Sequence, residues 1–162
     1  MEPSPRWGHC SAAIDGKLYV WGGHTKEFSK EKASSMHLFD PITESWETKS
    51  TTGPSPPGVY GGVSASVGQH LYQYGGQDHD TSSHGSFYTL NTSTLQWQEL
   101  PSGDAMEKSF CGMAGCGDQL LLLGGAGHPS GHTQPGADFA KWFNSGTGTN
   151  EFHIYTVKDG KL

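Results

Sequence analysis

Charge is scarce in this 162-residue chain: Asp, Glu, Lys and Arg make up 16% of it, and the ten basic residues are scattered without a basic run. The formal net charge is −6. Nucleic-acid binding and polybasic membrane contact both need a cationic footprint, so neither is expected. Long apolar runs are also missing. The longest is Leu120-Leu121-Leu122-Leu123, far short of the roughly 18 residues a membrane-spanning helix requires. The N-terminal Met1-Glu2-Pro3-Ser4-Pro5-Arg6 has no apolar stretch of the kind that opens a secretory signal. Cysteine is limited to Cys10, Cys111 and Cys116, an odd number without zinc-ligand spacing. Buried free thiols in a reducing compartment are expected, and with them a cytoplasmic or nuclear protein. Asn91-Thr92-Ser93, a formal glycosylation acceptor, then reads as a turn. Leu, Ile, Val and Phe together supply only about 16% of residues, a level at which disorder becomes a concern.

What is present removes that concern. Glycine numbers 24, aromatics reach 11% and five of them are Trp. Disordered chains are poor in aromatics and rich in charge. Glycine with bulky aromatics points instead to an all-β chain of tight turns and thin, filled cores. Gly and Pro recur too often for long helices.

Self-similarity organises the sequence. Diglycines stand at Gly22-Gly23, Gly75-Gly76 and Gly124-Gly125, spaced 53 and then 49 residues. A hydrophobic tetrapeptide precedes each: Leu18-Tyr19-Val20-Trp21, Leu71-Tyr72-Gln73-Tyr74 and Leu120 to Leu123. Ahead of these lie runs of small residues, Cys10 to Ile14, Val63 to Val67 and Gly112 to Cys116. Downstream come Leu38-Phe39-Asp40, Thr89-Leu90-Asn91 and Ile154-Tyr155-Thr156. Trp46 and Trp97 follow six residues after Asp40 and Asn91, and the corresponding place in the third unit is Leu162.

The pattern predicts one four-stranded antiparallel sheet per unit. Small residues suit an innermost strand, where sheets converge on an axis. The tetrapeptide suits a strand packed between neighbouring sheets on both faces. The diglycine ends it where the backbone needs conformations closed to other residues. Asp40-Pro41 and Asn91-Thr92 start turns, and each Trp anchors an outermost strand in the core between sheets. A unit of this kind stacks radially on its neighbours.

These residues resemble the kelch motif: a small strand, a hydrophobic strand ending in Gly-Gly, an aromatic-rich third strand, and a Trp six residues beyond a turn. The resemblance covers essentially the whole chain and implies a partial kelch-type β-propeller of about three blades, with repeats at 1–50, 51–101 and 102–162. Unit three departs from the motif, with Leu121 where the others have Tyr and no Trp, and its outer strand is expected to be missing. Propellers close with four to eight blades, so the ring is expected to need further blades of a longer protein or self-association, an open solenoid being the remaining alternative.

Functional candidates fall on one expected face, where the loops after the diglycines meet the connections between units. The loops, about 24–35, 77–85 and 126–150, carry His24, His79, His84, His128 and His132. The third is too long for a passive connection and holds Trp142 and Phe143, either an interaction hot spot or a cap folded back on the sheet. The connections place Arg6-Trp7, Val59-Tyr60 and Lys108-Ser109 at equivalent positions. Arg6, Lys108, Trp7 and Tyr60 suit an acidic peptide or a C-terminal carboxylate, or else serve as rim and packing residues. Loop histidines suit a metal in principle, or are simply solvated. Kelch-type plant specifier proteins that use iron carry Glu-x3-Asp-x3-His, and here Gly76 stands where the Glu belongs in the frame ending Asp80-x3-His84.

No nucleophile elbow or phosphate loop is present, and the Cys placement does not suit a copper-radical oxidase. The expected function is therefore a non-catalytic protein- or peptide-binding module without metal or cofactor. Arg6-Trp7-Gly8-His9 and the long aromatic loop make the chain most similar to kelch-domain-only proteins, a group that includes substrate receptors of cullin–RING ubiquitin ligases. A metal-dependent kelch enzyme or specifier-type protein using the loop histidines is the alternative.

Overall fold

A computed structural model describes residues 2–25, 35–57, 60–77, 84–101, 108–127, 147–148 and 152–162. Every regular element among them is a β-strand. In the first unit, β2 (Cys10–Ile14), β3 (Lys17–Trp21), β5 (Ser35–Asp40) and β6 (Ser45–Ser50) form an antiparallel sheet in that spatial order. The second repeats it with β7 (Val63–Val67), β8 (His70–Tyr74), β9 (Phe87–Asn91) and β10 (Gln96–Leu100). The third has three strands, β12 (Gly112–Cys116), β13 (Gln119–Leu123) and β16 (Phe152–Thr156). The sequence phase is also the structural register: Leu18 pairs with Phe39, Leu71 with Leu90 and Leu120 with Tyr155.

The inner strands β2, β7 and β12 lie side by side, and their small side chains are what permits it. Ser64 Oγ accepts from the Ser11 N–H at 3.0 Å and donates to the Ser11 carbonyl at 2.9 Å. Ser66 Oγ donates to the Ala13 carbonyl at 2.9 Å. One blade later, a Cβ at Gly115 would overlap the Ser66 carbonyl oxygen. The turns leading to the outer strands form as the Asp and Asn dictate. Asp40 Oδ1 accepts from the backbone of Ile42 and Thr43, and Asn91 Oδ1 from Ser93 and Thr94.

Two cores fill the wedges between blades. The first joins Tyr19, Trp21, Met36 and Leu38 of blade 1 to Leu71, Leu90 and Trp97 of blade 2, with the Trp21 and Trp97 rings 5.8 Å apart. Trp21 also donates its indole N–H to Gln73 Oε1. The second joins Tyr72, Tyr74 and Phe87 to Leu120 and Leu122. Leu162 packs on this core from the place where a Trp stands in the other units. Trp46, expected to be a core anchor like Trp97, is only half-buried and packs on Phe39 instead, because no blade covers that flank of blade 1. The thiols also differ from the expectation of burial: Cys10 is buried, Cys111 half-buried and Cys116 exposed, because the outer face of β12 is uncovered.

Candidate functional site

The rim of the blade array is made by short pairings that repeat from unit to unit. β1 (Arg6–Trp7) pairs with β4 (His24–Thr25), joining the lead-in of blade 1 to the segment after its diglycine. Tyr60 and Gln77 form the equivalent bridge in the second unit. In the third, β11 (Lys108–Ser109) pairs with β14 (Ala126–Gly127), which pairs in turn with β15 (Thr147–Gly148). Backbone hydrogen bonds stitch neighbouring lead-ins together. Gly61 N–H donates to the Gly8 carbonyl at 3.2 Å, and Phe110 N–H to the Gly61 carbonyl at 2.9 Å. Gly8 has φ +66° and no room for a Cβ beside Tyr60, so glycine is required there.

This stitching gathers three of the sequence-derived candidates. Trp7 and His24 are direct cross-strand partners, and their rings stack at 4.8 Å with 22° between planes. Tyr60 arrives from the next unit, 5.4 Å from Trp7 and 4.8 Å from His24 by ring centroid. Trp7 remains 61% exposed, an unusual state for so large an apolar ring. Phe110, 43% exposed, lies against Gly61 one unit further round. It extends the aromatic arc and was not among the sequence candidates. Its register equivalence to the rim glycines Gly8 and Gly61 was the available signal.

Arg6 is held elsewhere. Its Nη1 donates to the Gly22 carbonyl at 3.0 Å and its Nε to the Ser4 carbonyl at 3.3 Å. Nη2 stands 3.0 Å from Nε2 of buried His37. The guanidinium therefore braces the lead-in against blade 1. Lys108 contributes its backbone to the rim through its pairing with Gly127. His84 is tied to the second loop by its backbone, donating to the Gly76 carbonyl at 2.9 Å. His79, His128, His132, Trp142 and Phe143 lie outside the described residues. Among the described residues no three His, Cys, Asp or Glu side chains converge as metal ligands. What the rim offers among the described residues is an exposed aromatic surface centred on Trp7.

The profile of the KLHDC2/KLHL20/DRC7 Kelch-repeats domain matches residues 2–161. The chain belongs to the kelch-repeat family. Among curated relatives, it is 33% identical over 129 residues to Acyl-CoA-binding domain-containing protein 4 of Arabidopsis thaliana, covering 77% of this chain and 19% of that one. Rab9 effector protein with kelch motifs of Danio rerio is 33% identical over 96 residues, 59% of this chain and 27% of the relative. Kelch domain-containing protein 3 of Bos taurus is 28% identical over 130 residues, 77% of this chain and 33% of the relative. The kelch chain thus spans a third or less of these relatives' own lengths. Family membership supports a protein-interaction module, and the blades and rim are the parts of such a module present here.

Proposed function

We propose that this kelch chain binds an extended peptide segment of a partner protein on the rim of blades 1 and 2, and that it does no chemistry on it. The observation that carries the reading is the exposed Trp7 ring, stacked on His24 and flanked by Tyr60. Preformed aromatic rings supply large contact area at little entropic cost and are the residues on which binding energy concentrates. The finer reading is a substrate-recognition part of a ubiquitin ligase acting in the cytoplasm or nucleus. Its support is the similarity to kelch-domain-only receptors, together with three free cysteines suited to a reducing compartment.

The test is an array of short peptides in matched C-terminally free and amidated forms, probed with the wild-type chain and with Trp7→Ala. The reading expects specific ligands whose affinity falls at least about 10-fold in Trp7→Ala, as for a hot-spot aromatic. Dependence on the free carboxylate would favour the receptor reading. Equal binding by the variant would overturn the rim as the site.

A further inference from the structure

The two faces of the Trp7 ring have different surroundings. One is covered by the His24 imidazole, 4.8 Å away by centroid and inclined by 22°. The residue as a whole is still 61% exposed, so the rest of the ring is open to a ligand. The mount under this stack is tight. Trp7 and His24 are cross-strand partners in the pairing of β1 with β4. A Cβ at Gly23, next to His24 and at φ +80°, would overlap the Trp7 carbonyl oxygen and the backbone of His9, so glycine lets β4 begin this close to β1. Tyr60 closes the side toward blade 2, its ring 4.8 Å from His24.

An imidazole ordinarily changes charge near pH 6.5. An imidazolium 4.8 Å from an indole centroid lies inside the roughly 6 Å reach of a cation–π contact, for which Trp is the best ring. Protonation therefore leaves His24 seated and puts a positive charge against the covered face of Trp7. The neighbouring groups do not duplicate this change. Arg6 of β1 is charged throughout and is turned to the Gly22 carbonyl and His37. The Tyr60 hydroxyl stays neutral below about pH 10. His9, two residues beyond Trp7, is lowered from its ordinary 6.5 by burial and then by the Arg6 charge, so it gains its proton only in more acid solution.

Granted the rim as the binding surface proposed above, we infer that His24 is its pH-sensitive charge switch: the Trp7 surface is uncharged in mild alkali and cationic in mild acid, where it favours carboxylate-bearing partner segments. The switch acts through the stack and needs no movement of the blades. A single charge about 5 Å from a bound ion in water changes its local concentration roughly two- to threefold at ordinary salt.

Charged collisional quenchers of Trp7 fluorescence read this directly. Wild-type chain, His24→Gln and His9→Gln are each compared with the same chain carrying Trp7→Phe, and the difference is the Trp7 signal. Quenching rate constants for iodide, caesium and neutral acrylamide are taken at pH 8 and pH 5.5, at constant ionic strength and with the fold checked by circular dichroism. On acidification the iodide constant is expected to rise about two- to threefold and the caesium constant to fall, with acrylamide unchanged. His24→Gln should abolish the response and His9→Gln should retain it. A flat wild-type response, or one that survives His24→Gln, would overturn the inference. A response lost in His9→Gln would do the same. Peptides selected on the array should, at pH 5.5, gain affinity when they carry carboxylates, and ligands that show no such gain also count against the switch. The quenchers need no peptide, so a flat quencher response leaves the peptide-binding reading standing, and an array without ligands leaves the quencher result standing.

Discussion

The guanidinium of Arg6 stands 3.0 Å from Nε2 of His37, a residue 31 positions away in the third strand of blade 1. Arginine has donors and no acceptor, so Nε2 must be the lone-pair nitrogen. The ring proton is then on Nδ1, which donates to Thr48 Oγ1 at 2.9 Å. A neutral imidazole of one defined tautomer thus links the rim strand β1 to the outer strand β6. Arg6 is adjacent in sequence to Trp7, so this part-buried relay ties the strand that carries the rim aromatic to the body of blade 1.

That relay makes a double-mutant prediction. Hydrogen bonds to charged groups contribute about 1.5–3 kcal/mol when well made, and partial exposure of Arg6 reduces this. Arg6→Met and His37→Phe are each expected to destabilise the chain, with a coupling of about 1 kcal/mol between them. Chemical denaturation of the four proteins of the cycle measures it. Strict additivity would show that the two side chains do not act together.

Blade packing predicts an asymmetry between two glycines on the same strand. A methyl group at Gly115 would overlap the Ser66 carbonyl, whereas at Gly112 it meets only the Leu123 carbonyl oxygen at 3.8 Å. Backbone overlap is relieved only by moving blade 3 away from blade 2. Gly115→Ala is therefore expected to cost about 3 kcal/mol or more, at the upper end of overpacking effects. Gly112→Ala should change stability little. Thermal unfolding of the two variants beside wild type checks this, and equal effects would contradict the close approach of β7 and β12.

Acid should weaken the fold from just below neutrality. Burial lowers His70 from its ordinary 6.5, and burial followed by the nearby Arg6 charge lowers His9. Both rings therefore bind protons less readily folded than unfolded. As pH falls through about 6.5 the unfolded chain takes up more protons, so stability declines until the folded-state values are passed and then levels off. Asp40, lowered chiefly by the Ile42 backbone N–H, acts in the same direction below its ordinary 3.8 and lies outside this window. Unfolding midpoints between pH 7.5 and 5, roughly the titration range of histidine, should fall with acidification. The slope should lessen in His70→Gln, and an unchanged slope would assign the effect to other groups.

The repeat was readable in the sequence because its signals are local. Diglycine, small-residue run and Asp40 or Asn91 turn each act within a few residues of themselves, and their phase translates directly into strand register. Even Leu162 was legible, as the residue six places beyond Thr156. What escaped depends on contacts across the chain. Arg6 reads as an available cation until Gly22 and His37 are brought to it, and nothing in its neighbours announces that. His37 looks like one more histidine, because its partners Arg6 and Thr48 are on other strands. Trp46 and Trp97 are identical by motif, and only the blade beside Trp97 makes it core. The rim trio was half legible. Register put Trp7 and Tyr60 in equivalent places, but the stacking of His24 on Trp7 follows from the two-residue pairing of β1 with β4, too short to leave a periodic signal.

The cysteines give a chemical readout of the first blade junction. Cys10 lies in the core between blades 1 and 2, and burial pushes its thiol up to about 12 against the opposing hydrogen bond of Ser64. At pH 8 only about one molecule in ten thousand would hold it as the thiolate, the form that reacts. Cys116 is exposed on the open flank and Cys111 is half-buried. Iodoacetamide followed by peptide mass spectrometry should therefore label Cys116 first in the folded chain and leave Cys10 unmodified. Denaturant should bring all three to similar rates. Because Cys10 becomes reachable only when blade 1 separates from blade 2, its labelling rate at low denaturant measures the opening of that junction. Ser64→Ala, which removes the hydroxyl bridging the inner strands, should accelerate that rate although it also takes away the interaction favouring the thiolate. A slower rate in Ser64→Ala would mean that thiol ionisation, and not blade separation, limits the reaction.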